Sequence, residues 1–221
     1  MARVRAFLGD LSGKIGDVVV VNGKNGIYVR SLPRKNDRKS ERQLIQRGKL
    51  QKVNAFLKPI KDFLSIGFVQ RNPKQNPYQA AVSCLLSHAF VSDVDNAGDL
   101  VMDAKRVMVC QGSLAVPIRP SFSLSDHVMI IRWEDCPDTA FARSDDRLVV
   151  LLYDPDTGEH MWEVMATTRK DKYHLLLTPN DMKGCFWVFM AFVSAKGDLV
   201  SNSVYLGEAV LEERSLDADH I

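Results

Sequence analysis

The 221-residue chain is 46% hydrophobic and 25% charged. That is the profile of an ordinary folded protein and excludes a disordered chain, a collagen-like fibre and a simple coiled coil. Its formal net charge of +2 conceals an imbalance: residues 1–75 carry 17 Lys and Arg against 5 Asp and Glu, while residues 76–221 carry 12 against 22. Opposite charge in the two halves points to an anionic partner for the first half, or to pairing of one half with the other.

At about 100–200 residues per domain, the length suits one large domain or two small ones. No apolar run reaches about 18 residues, so no transmembrane helix is expected. Met1 to Asp10 contains no apolar stretch of signal-peptide length, and the expected location is the cytoplasm. Cys84, Cys110, Cys136 and Cys185 are widely spaced without a CxxC pair, the pattern of free thiols in a reducing compartment.

In chain order, Gly13 and Gly16 suit turn or bulge positions. Val18–Val21 is a β-branched run, followed by Asn22-Gly23, Asn25-Gly26 and then Ile27-Tyr28-Val29; the pattern predicts a β-hairpin. Pro33 ends the second strand and RKNDRK (34–39) forms a basic loop. Ser40 with Gln43 fits a capping box. The predicted helix is cationic on several sides at first. Later it gathers Leu50, Val53, Phe56, Leu57, Ile60 and Leu64 within one arc. Pro59 kinks this helix or starts a second. Asn76-Pro77 opens another helix over 77–90, and 91–100 reads as a loop. From about Lys105 the apolar period falls to two. Strands are predicted at 105–111, 119–124, 127–133, 147–153, 161–168, 172–177, 185–194 and 199–206, with an acidic tail closing the chain at 211–221. The expected fold class is α+β: a basic hairpin-and-helix module over 1–100, then an antiparallel β-sandwich over 101–210.

The strand region resembles a fibronectin type III or immunoglobulin-like sandwich. Ile130-Ile131-Arg132-Trp133 is similar to the second strand of that fold, and the resemblance implies a tryptophan packed between the sheets. Phe186 to Gly197 resembles its long sixth strand and the turn after it. The whole chain is also similar to an uncharacterised bacterial family. The stretches that carry this likeness are Ser12–Gly16, Tyr28–Pro33, Gln43–Arg47, Ile66–Phe68, Ala80–Ser83 and Ser201–Gly207. That resemblance implies the architecture and no activity. The glycine-rich hairpin followed by a basic helix is further similar to segments of some phage-derived proteins, which implies a virion or assembly role.

Four constellations contain residue types that could carry chemistry. Gly9 to Lys14 resembles a phosphate-binding loop, but its spacing is one residue short, Ile15 follows the lysine, and a strand follows instead of a helix. Asp93, Asp95, Gly98, Asp99 and Asp103 approach a calcium loop, yet Ala97 and Ala104 occupy two ligand positions. Cys84 and His88 share a helix face without further metal ligands or an orienting third group. The remaining histidines, His127, His160, His174 and His220, are scattered. No catalytic, cofactor or metal residue is therefore assigned.

The basic run is the stronger signal. Arg34, Lys35, Arg38, Lys39, Arg42 and Arg47 are the expected partner-binding residues, joined by Lys49 and Lys52. The leading reading is a non-enzymatic assembly protein in which this surface meets the acidic sandwich of another copy, or another protein, with a merely solvated helix face as the plain alternative. The alternative is sequence-indifferent nucleic-acid binding through 34–52, which would weaken steeply with salt, although the run lacks aromatic residues for stacking bases. An enzyme, such as a hydrolase with a site between the modules, ranks last.

Overall fold

The computed structural model describes residues 2–3, 12–23, 26–32, 40–69, 75–92, 100–125, 127–134 and 138–212. Its contacts divide the chain into two units, Met1–Leu44 and Ile45–Ile221. The fold is α+β, rich in antiparallel strands.

The first unit holds an antiparallel sheet of β1 (Ala2–Arg3), β2 (Gly13–Ile15), β3 (Val18–Gly23) and β4 (Gly26–Ser31), in the order β1-β4-β3-β2. The predicted hairpin is β3–β4, whose register ends on Gly23 opposite Gly26. Gly16 turns the chain between β2 and β3 at φ +57°, a conformation that glycine adopts without a Cβ clash.

Helix α1 (Glu41–Leu57) crosses the division between the units. The expected capping box forms: Gln43 N donates to Ser40 Oγ at 3.4 Å and Ser40 N donates to Gln43 Oε1 at 3.3 Å. The helix stops at Leu57, two residues before Pro59, whose ring would block a further turn. A short α2 (Leu64–Gly67) follows, then α3 (Pro77–His88), capped by Asn76 Oδ1 accepting from Tyr78 N at 2.8 Å. The segment expected to be a loop at 91–100 instead begins and ends in strand. There β5 (Phe90–Ser92) pairs with β6 (Leu100–Met102).

Seven strands then build two sheets. They are β7 (Ile118–Ser125), β8 (Val128–Glu134), β9 (Arg147–Tyr153), β10 (His160–Thr168), β11 (Tyr173–Leu177), β12 (Gly184–Val193) and β13 (Val204–Leu211). Three form a sheet in the order β11-β8-β7, and four form a sheet in the order β10-β9-β12-β13. One apolar cluster lies between the sheets. It takes Met129, Ile131 and Trp133 from one side, and Leu148, Val150, Leu152, Phe186, Val188, Met190 and Phe192 from the other. The opposite face of the four-stranded sheet offers Val149, Leu151, Tyr153, Phe189, Ala191 and Val193 to Val53, Phe56, Leu57, Phe63 and Leu85 of the helical segment. Even-numbered residues of β9 thus face one core and odd-numbered residues the other, because side chains alternate across a strand. A strand buried on both faces has no solvent side, and Leu148 to Leu152 is apolar without interruption. Each fully buried side chain of this kind contributes about 1.5–3 kcal/mol.

Two predicted strands are corrected. Residues 105–111 form a 3-10 turn (Ala104–Arg106) and an irregular segment. The turn is capped by Asp103 Oδ1 accepting from Lys105 N at 3.0 Å. The backbone beyond it is satisfied by side chains and single backbone contacts instead of a ladder: Ser203 Oγ accepts from Val109 N at 2.9 Å and Cys110 N at 3.3 Å, Asn202 Oδ1 accepts from Gly112 N at 3.1 Å, and Gly67 O accepts from Gln111 N at 2.8 Å. The last strand runs 204–211 instead of 199–206. A bulge between Val188 and Phe189 lets the ladder pass Gly207, which sits at φ +139°. The acidic tail from residue 213 onward falls outside the described residues.

Candidate functional site

Of the six expected partner-binding residues, Arg34, Lys35, Arg38 and Lys39 lie outside the described residues. Arg42 and Arg47 stand on α1 and are exposed. Every residue from Glu41 to Gly48 is exposed, and burial of the helix begins in earnest only at Val53. Leu50, expected on the core face, is exposed as well. Further along, Lys49 Nζ stands 5.3 Å from the centre of the Phe90 ring, a cation–π distance. Lys52 Nζ donates to Leu100 O at 2.7 Å. The front half of α1 therefore combines the exposed cations Arg42 and Arg47 with exposed Leu44, Ile45 and Leu50.

A groove of about 650 Å³ opens within the second unit, lined among others by Lys52, Phe56, Met102, Tyr153, Asp156 and Trp187. Phe56 meets the Tyr153 ring edge-on at 4.5 Å. Burial, with a further push from Asp154, raises the Tyr153 hydroxyl to about 12, so it stays protonated and supplies no base at neutral pH. The turn at the groove's rim has spent its amides. Asp154 Oδ1 accepts from Asp156 N at 2.8 Å and Thr157 N at 3.4 Å, Asp154 Oδ2 accepts from Thr157 Oγ1 at 2.8 Å, and Asp154 O accepts from Gly158 N at 2.9 Å. The groove thus offers an aromatic wall, without a poised acid–base pair.

The other candidate chemistry resolves into structural contacts. Lys14 stands on strand β2, not in a loop before a helix. Of the acidic loop, Asp103 caps a turn and pairs with Arg106 Nε at 3.6 Å, while residues 93–99 lie outside the described residues. His88 Nδ1 lies 3.0 Å from Cys84 O, a backbone contact within the helix. Burial pushes the Cys84 thiol up, against the thiolate a nucleophile needs. His127 lies between Thr178 Oγ1 at 3.2 Å and Glu212 O at 2.7 Å, and His174 Nδ1 lies 2.6 Å from Thr167 Oγ1. His160 Nδ1 lies 3.1 Å from Gly158 O, while His220 is outside the described residues. Among the described residues, no group of three or more His, Cys, Asp or Glu is arranged to hold a metal ion, and no helix is long and apolar enough to cross a membrane. Cys84, Cys110 and Cys185 are free thiols.

One polar cluster has no sequence signal. The Arg169 guanidinium is buried beside Asp146, with Nε 3.3 Å from Oδ2. It stacks 4.0 Å from the centre of the Phe192 ring, and Nη2 donates to Ala115 O at 2.9 Å. Trp133 Nε1 donates to Arg169 O at 2.7 Å. These contacts pin one end of the sandwich and leave the guanidinium no access to solvent.

Residues 10–207 match the profile of a family of unknown function, DUF6266, and the chain belongs to that family. No curated protein matches the chain.

Proposed function

For this member of the DUF6266 family we propose a non-enzymatic, structural role in which copies of the chain associate. The basic segment through α1 of one copy docks on the acidic sandwich of the next. The observation that carries this reading is the exposed front half of α1, where Arg42 and Arg47 alternate with Leu44, 53% exposed, and Ile45. Phosphate backbones use the cations of such a surface and leave its apolar groups wet. A protein surface uses both, and arginine with apolar side chains is the composition of interface cores. The sandwich supplies the opposite charge through exposed Asp156, Glu159, Glu163, Glu208 and Glu212. A head-to-tail contact of this type is heterologous and builds rings or filaments.

The strand region is read as fibronectin type III or immunoglobulin-like. Seven strands in two antiparallel sheets support this. So do Trp133 on the second strand of the seven, buried between the sheets, and β12 as the longest strand in sixth place. Sandwiches of this architecture serve binding and scaffolding, which agrees with an assembly role, although function is argued from the surface and not the fold.

The test is molar mass by light scattering on nuclease-treated protein, comparing the parent with Arg42→Glu/Arg47→Glu. The parent is expected to grow in mass with concentration and the double variant to lose that growth. Equal masses would overturn the reading. DNA binding that falls steeply with salt and disappears in the double variant would replace it with the nucleic-acid alternative.

A further inference from the structure

Sheet edges expose unpaired backbone groups, and proteins blunt them with bulges, prolines or charges. Three of the four edges in the sandwich are blunted. At β7 the ladder shifts between Ile118 and Ser121, around Arg119 and Pro120. At β10 it shifts between Val164 and Thr168, beside exposed Glu163. At β13 the bulge beside Gly207 adjoins exposed Glu208. The fourth edge, β11, has none of these devices. Its sequence is Tyr-His-Leu-Leu-Leu, and its ladder with β8 runs without a break from Tyr173 to Leu177.

The hydrogen bonds show which way its backbone points. Trp133 N donates to Lys172 O at 3.0 Å, and Thr178 N donates to His127 O at 2.9 Å. Backbone direction alternates along an antiparallel strand, so residues 172, 174, 176 and 178 bond inward to β8 and residues 173, 175 and 177 turn their N–H and C=O outward. The same three residues carry the exposed side chains: Tyr173 is 57% exposed, Leu175 53% and Leu177 70%. Ile130 and Val128 stand opposite Leu175 and Leu177 on the same face, extending the apolar surface.

We infer that β11 is a homodimer edge, occupied by β11 of a second copy, antiparallel about a twofold axis at Leu175. The pattern is self-complementary in that register. Leu175 meets Leu175, and Tyr173 meets Leu177, each as a hydrogen-bonded pair that exchanges two backbone bonds. Each flank of the strand carries both signs, with exposed Lys170, Asp171 and Lys172 before it and exposed Asp181 and Lys183 after it, so antiparallel pairing brings cations and anions of both copies to each end of the contact. A twofold contact of this kind is isologous and closed. It is separate from the heterologous contact through α1.

Sedimentation velocity with the full chain tests the inference. The double variant Arg42→Glu/Arg47→Glu, which removes the heterologous contact, is expected to remain a dimer at twice the 24.8 kDa chain mass. Adding Leu175→Lys and Leu177→Lys, both at exposed positions, is expected to halve that mass with the far-UV spectrum unchanged. A second variant, Leu175→Cys, places paired α-carbons about 5.5 Å apart, within disulfide reach. Mild oxidation should join the two position-175 thiols, as read by peptide mass spectrometry. A monomer before the lysines are added, a mass that survives them, or a disulfide from position 175 to any other cysteine would each overturn the twofold β11 pairing.

Discussion

Arg169 and Asp146 show how a single residue can be decisive and yet silent in sequence. In the strings RSDDR and TTRKD they look like solvated turn charges. Only the fold reveals that both are buried, with Phe192 beneath the guanidinium and the Trp133 indole on the Arg169 carbonyl. Removing one partner of a buried pair strands the other charge, so Arg169→Ala is expected to cost about 3–5 kcal/mol in urea unfolding. Asp146→Ala should cost a similar amount, and the double variant less than the sum of the two. His174 sets a pH response. Burial lowers its pKa, with Glu163 opposing weakly, so folding favours the neutral ring. That contribution is present above the ordinary histidine pKa, about 6.5, and fades as pH falls through the lower folded value. Asp171, whose pKa is lowered by its bonds to the Thr168 backbone and side chain, and Asp198, lowered chiefly by its bond to Ser194, add a second loss once pH passes below the carboxylate range. The thermal midpoint should therefore fall in two stages on acidification. His174→Gln is expected to remove the first stage, and an unchanged profile would count against this assignment.

At the scale of elements, local chemistry made most of the structure readable. The β3–β4 hairpin, the Ser40–Gln43 box, the Asn76-Pro77 start of α3 and six of the sandwich strands follow from turn residues, caps and alternation. The failures have physical causes. Val107 to Cys110 is apolar like a strand, but the Val107 amide turns back to Asp103 O and the amides of Val109 and Cys110 are taken by the Ser203 hydroxyl, not by a neighbouring ladder. Gly207 reads as a strand end, whereas the bulge beside it keeps β13 paired to Leu211. Residues 201–203 act as a clasp: Ser201 Oγ accepts from Phe192 N at 2.9 Å, and Ser203 N donates to Cys110 O at 3.0 Å. Likewise Gly67 lies where a Cβ would collide with Val109 O, so this position requires glycine. Ser203→Ala would orphan the amides of Val109 and Cys110. It is expected to cost about 1–3 kcal/mol and to speed hydrogen exchange at 107–112; normal protection there would refute the clasp.

For the molecule as a whole, charge and packing divide the chain at different places. The charge balance changes sign near residue 75, whereas the helices of 45–88 share one apolar cluster with the four-stranded sheet. Composition alone does not disclose that cluster, because α1's apolar arc and β9's second apolar face are each blind to their partner. Both cores lie entirely within residues 45–221. A fragment of residues 40–221, which retains the Ser40 cap, should thus unfold cooperatively with a midpoint within about 3 °C of the full chain, the shift expected of about 1 kcal/mol at this size. A broad, non-cooperative transition would mean that the first unit completes the core. The candidate site was legible only in part: the cations of 34–52 are plain in the sequence, but the unburied front half of α1 and the unguarded β11 edge needed the exposures of a folded chain.

Association of copies is the central claim, and the concentration dependence of molar mass in nuclease-treated protein tests it most directly. The prediction is a mass above 24.8 kDa that rises with concentration and falls with added salt, since the α1 contact is electrostatic. A constant 24.8 kDa across the series would contradict both the assembly role and the β11 dimer.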